Sequence, residues 1–92
     1  MQKARMALLW VTPEKYERFV AVCDDRMPPD HQGWKQTIEK RLAARGIPLG
    51  RLERFLIDPD EMAAWCRLHS GKVDSQSRSE YVAFLAAQRE SE

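Results

Sequence analysis

Residues 11–14 read Val11-Thr12-Pro13-Glu14, and residues 57–60 read Ile57-Asp58-Pro59-Asp60. In each quartet an apolar residue closes a short hydrophobic run, and a Thr or Asp stands where a helix needs its N-cap. Proline then takes the first helical position, for which its ring is pre-organised, and an acid follows at the positive end of the helix. The quartets are 46 residues apart, half of the 92-residue chain. Behind each proline, apolar residues recur at that offset: Tyr16 with Met62, Phe19 with Trp65, Val20 with Cys66, Val22 with Leu68, Met27 with Val73, and Ile38 with Phe84. The pattern predicts two pseudo-repeated strand–helix–helix units, about residues 4–46 and 50–92, within one domain over 1–92.

Outward from the first quartet, Ala4 to Val11 is rich in Leu, Trp and Val and predicts a strand. Tyr16, Phe19, Val20, Cys23 and Met27 fall at helical spacing, which predicts a helix from Pro13 to the Pro28-Pro29 pair. Asp30 is placed to cap a second helix reaching about Arg45, with Trp34, Ile38 and Leu42 as its apolar stripe and Gly46 at its end. Gly33 in its first turn shifts the expected start towards Trp34. In the second half, Arg51 to Ile57 predicts a strand. Asp58 then caps a helix with the stripe Met62, Trp65, Cys66 and His69, stopped by Gly71, with Glu61 placed to bond back to the cap. Lys72 to Gln76 reads as a loop. Ser77-Arg78-Ser79-Glu80 reads as a capping box that opens a last helix to about Gln88, burying Tyr81, Phe84, Leu85 and Val82.

With 43% hydrophobic and 32% charged residues, the composition is that of a globular chain. No stretch approaches the roughly 18 apolar residues of a membrane helix. The basic start before Leu8-Leu9-Trp10-Val11 resembles the opening of a signal peptide, but Thr12-Pro13-Glu14-Lys15 cuts the run short. The expectation is a cytoplasmic protein with no membrane partner. Cys23 and Cys66 lie far apart with no paired motif, each on an apolar helix stripe, and read as reduced packing residues. Net charge is +1, divided as +3 over residues 1–46 and −2 over residues 47–92.

Leu56-Ile57-Asp58-Pro59 followed by Ser77-Arg78-Ser79-Glu80-Tyr81-Val82 resembles the ribbon-helix-helix family. The resemblance covers about residues 51–90, and residues 5–45 by analogy. It implies a fold of order β-α-α-β-α-α, class α+β, whose two strands pair as an antiparallel ribbon packed on helices. It also implies DNA binding, with the ribbon in the major groove and the second helix's N-terminus on a phosphate. Counting back from the caps, Ala7, Leu9 and Val11 should face inward with Glu53, Phe55 and Ile57. The outward face is then Met6, Leu8 and Trp10 beside Leu52, Arg54 and Leu56. A ribbon that reads bases needs polar side chains there, and Arg54 alone qualifies. Such an apolar face suits a protein contact instead.

Other chemistries find less support. Cys66 and His69 share one face of the predicted helix, but a zinc site needs further ligands and no second paired motif supplies them. The serines sit at turns and helix starts, apart from Ser91 in the tail, and Asp58, Asp60 and Glu61 suit the first turn of a helix. No glycine-rich phosphate loop is present. The sequence therefore predicts no catalytic, metal or cofactor residue. It predicts a small non-enzymatic protein-interaction or adaptor module, with another protein or a second copy of the chain as partner through Met6, Leu8, Trp10, Leu52, Arg54 and Leu56. The alternative is a DNA-binding transcriptional regulator of ribbon-helix-helix type. Its nucleic-acid contacts would be Lys35, Lys40, Arg41, Arg45, Arg51 and Arg54.

Overall fold

The computed structural model describes residues 6–48 and 51–90. Six elements follow in the order β-α-α-β-α-α. They are β1 (Met6–Trp10), α1 (Pro13–Val22), α2 (His31–Ala44), β2 (Leu52–Leu56), α3 (Pro59–Ser70) and α4 (Ser75–Glu90). The class is α+β. None of the described helices is long and apolar enough to cross a membrane.

The two proline quartets start α1 and α3 as read. Asp58 accepts hydrogen bonds from the Asp60 and Glu61 N–H groups at 2.8 and 3.2 Å, while Thr12 gives α1 no side-chain cap. Glu61 makes no return bond to Asp58, so the expected capping box is one-sided.

The strands run parallel, with Met6 beside Leu52 and the register continuing to Trp10 beside Leu56. This overturns the antiparallel ribbon. The physical reason lies in the connection: residues 11–51 carry two helices, and a crossover of that length is what parallel pairing requires. Both quartets lie at the same end of the sheet, so α1 and α3 leave together and pack against each other. Antiparallel strands would send them to opposite ends. Each registered pair is 46 residues apart, the offset at which the sequence matches itself.

α1 also ends earlier than its apolar stripe predicts. Cys23 has left the helix, with φ −80° and ψ 140°. Asp24 donates its N–H to the Val73 carbonyl at 2.7 Å and accepts the Val73 N–H on Oδ2 at 2.7 Å. Asp25 takes a bidentate pair of bonds from Arg78 at 2.7 and 3.0 Å. These bonds to the α3–α4 turn and to α4 replace the helical ones that would carry α1 on to Pro28. Met27 still packs on the core from the irregular segment.

The start of α4 differs from its expectation for a similar reason. Asp74 accepts the Ser77 N–H at 2.9 Å, and Ser77 Oγ accepts the Asp74 N–H at 2.9 Å. The reciprocal box is therefore Asp74–Ser77, one turn before Ser77–Glu80, and Ser77 is buried within it. In α2, Asp30 caps Gly33 at 2.8 Å, and helix begins at His31 despite the glycine. A Cβ on Gly33 would lie 3.1 Å from Asp30 Oδ1, so the glycine leaves room for the cap. Gly46, with φ +68°, lets the chain turn after α2.

Val11, Tyr16, Phe19, Val22, Trp34, Ile57, Met62, Cys66, Val73 and Tyr81 form a single buried cluster. It joins α1 and α3 beneath the ends of both strands. Trp34 reaches it from α2 and Tyr81 from α4.

Candidate functional site

The sheet has two unlike faces. Val11, Phe55 and Ile57 are buried on the inner side, and α4 closes over Phe55 and Glu53 through Arg89. The Arg89 guanidinium pairs with Glu53 and lies 4.4 Å from the Phe55 ring centroid. On the outer side the register forms three same-face pairs, Met6 with Leu52, Leu8 with Arg54, and Trp10 with Leu56. All six residues read from the sequence as an interaction surface thus lie on one face, because registered partners in a parallel pair point the same way.

That face is covered unevenly. Trp10 packs against Trp34 of α2, with ring centroids 5.0 Å apart, and meets the His31 ring edge-on at 6.1 Å. Leu8, beside it on β1, is half-buried and lines a small cleft with Ile38 and Arg41 of α2 and Val82 of α4. At about 180 Å³ this cleft is small for a ligand site, which usually exceeds about 300 Å³. β2 lacks such cover. Leu56 is 67% exposed and Met6, at the strand start of β1, 46%. Arg54 is exposed, its guanidinium 4.5 Å from the Trp10 ring centroid, a cation–π arrangement. Leu52 is half-buried.

The backbone of β2 is open along the same residues. Ile57 donates its N–H to the Trp10 carbonyl at 3.0 Å. In a parallel ladder the backbone groups alternate, so residues 53, 55 and 57 bond towards β1 while Leu52, Arg54 and Leu56 point theirs outward. Among the described residues no backbone bond from elsewhere closes that edge. Among the described residues neither Arg51 nor Arg54 meets an acid.

Lys35, Lys40 and Arg41 on α2 and Arg45 at its C-cap are exposed and form no ion pair among the described residues. They do not gather into one patch. Lys35 and Lys40 lie roughly 140° apart around the helix axis, with Arg41 about another 100° on. Arg41 turns towards the small cleft, beside the Arg78 that Asp25 neutralises.

The histidines and cysteines are held in structural roles. His31 Nε2 donates to the Val11 carbonyl at 2.8 Å, since a carbonyl can only accept. His69 stacks on Trp65 at 4.0 Å and donates from Nδ1 to the Trp65 carbonyl. Cys66 is fully buried while His69 is exposed, so the buried stripe expected to reach His69 ends at Cys66. Burial pushes the Cys23 thiol up to about 11, and the Cys66 thiol is raised for the same reason. Among the described residues no three His, Cys, Asp or Glu side chains gather as a metal site.

A surface that the sequence did not indicate lies on α3 and α4. Trp65, expected in the core, is half-buried, with Phe84 at 5.4 Å, and Leu68 is 83% exposed. The signal was available for Leu68, which sits two positions from buried Cys66 and so on the opposite side of the helix. Phe84, read as buried, gave no such sign. Comparison with protein-family models, curated proteins and solved structures returned no match.

Proposed function

We propose that the protein is a small non-enzymatic interaction module that holds another protein, or a second copy of itself, against the outer side of its sheet. The observation that carries this reading is β2, with Leu56 exposed beside Arg54 and its outer edge unpaired among the described residues. Parallel strands are ordinarily covered on both faces, and a two-stranded sheet has little stability of its own. A partner laid on β2 would supply the missing cover. Size-exclusion chromatography with light scattering, run with and without candidate partners, tests it. Leu56→Glu should abolish assembly and leave the fold intact. If Leu56→Glu and Met6→Glu leave every assembly unchanged, the outer face is not the contact.

The DNA-regulator reading keeps one supporting observation, the exposed cations Lys35, Lys40, Arg41, Arg45, Arg51 and Arg54. The parallel pair removes the antiparallel ribbon on which base contacts would depend, so it ranks second. It predicts that a random duplex is shifted at low salt and released as salt rises, and that reversing Lys40 and Arg41 to Glu abolishes the shift.

The equality of strand register and sequence offset supports reading the chain as two β-α-α units in tandem. The free thiols of Cys23 and Cys66 agree with a cytoplasmic setting.

A further inference from the structure

We infer that the outer edge of β2 accepts an extended acidic segment of a partner protein, which adds as a third strand. This rests on the interaction reading above and narrows it to one edge and one chemistry of partner.

Three observations on β2 converge. The backbone groups of Leu52, Arg54 and Leu56 point away from β1 and are unpaired among the described residues. The same residues present an apolar–cationic–apolar row on the outer face, with Leu56 67% exposed. Arg54 and the neighbouring Arg51 are exposed and meet no acid among the described residues. A third strand would bond to the open edge and set its own alternate side chains beside this row. An acid opposite Arg54 would be favoured and a base disfavoured, while apolar residues two positions to either side would lie beside Leu52 and Leu56.

The same charge argues against a second copy as occupant. Antiparallel pairing of β2 with itself over all five residues would set Arg54 directly against the other copy's Arg54. Charged residues on a short edge strand are a common device against self-pairing. The edge is thus protected from its own kind and left open to a strand of opposite sign.

The probe is a blocked peptide with the core Val-Thr-Glu-Thr-Val, which reads the same in either strand direction and so needs no assumption about polarity. Amide hydrogen exchange and titration by NMR follow its binding to the full chain. The Glu peptide should slow exchange at Leu52, Arg54 and Leu56, and leave Glu53 and Phe55 unchanged. Replacing its Glu by Lys should weaken binding roughly tenfold, and Arg54→Glu should invert that preference. Arg54→Gln, which keeps the strand without the charge, should bind the two peptides alike. Equal affinity of the wild-type chain for both peptides, or no slowing at the three amides, overturns the inference. Slowing that grows with protein concentration in the absence of peptide gives the edge to a second copy, and also overturns it. If the peptides fail while Leu56→Glu still abolishes assembly with a native partner, strand addition is wrong and the wider interaction reading stands.

Discussion

The Asp25–Arg78 pair shows how one residue can redirect a helix. Arg78 is nearly buried, 11% exposed at its side chain, and its hydrogen bonds hold the Asp25 carboxyl below the usual carboxylate range against the opposing effect of burial. A carboxyl depressed in the folded state stabilises above its unfolded value, and the contribution is lost as pH falls through the folded value. Stability should therefore decline below about pH 4. Asp25→Asn should cost about 1–3 kcal/mol in urea unfolding at pH 7 and flatten the acid decline. The remaining slope would come from Asp58 and Asp74, whose carboxyls are also depressed, each by backbone N–H groups at its helix start. The thiols make a separate prediction. With Cys66 buried and Cys23 raised to about 11, alkylation by iodoacetamide at pH 8 should be slow in the native chain and fast in urea. Fast native alkylation would mean that α1 and α3 part readily.

Among the elements, those whose limits are set by local chemistry were legible and those set by tertiary bonds were not. Pro13 and Pro59 began their helices, and Asp30 and Asp58 capped theirs, because these signals act within one turn. The end of α1 was misread because Asp24 and Asp25 bond to residues about fifty positions away, and no periodicity carries that information. The start of α4 was misread because two overlapping boxes were available, Asp74–Ser77 and Ser77–Glu80. Burial of Ser77 decides between them. Asp74→Ala should accordingly lower stability, and Glu80→Ala should lower it less. The reverse order, measured by thermal or urea unfolding, would return the cap to Ser77.

For the molecule as a whole, the order of elements and the content of the outer face could be read from alternation and caps, but strand direction could not. Direction depends on which ends of the strands the helices leave, and the ribbon resemblance supplied the wrong answer. Parallel pairing still keeps Met6, Leu8, Trp10, Leu52, Arg54 and Leu56 on one face, since side-chain alternation is the same in both arrangements. It changes their roles. Trp10 is packed on Trp34 and Arg54, so Trp10→Ala should destabilise the fold by about 2–3 kcal/mol. Leu56→Glu should alter stability by no more than about 0.5 kcal/mol and act on assembly instead. Amide hydrogen exchange on the dilute, partner-free chain measures whether β2 pairs with β1 on one side and stands open on the other. Slow exchange is expected at Glu53, Phe55 and Ile57 and fast exchange at Leu52, Arg54 and Leu56. Slow exchange at every residue from 52 to 57 would show the outer edge already closed, and would contradict this arrangement.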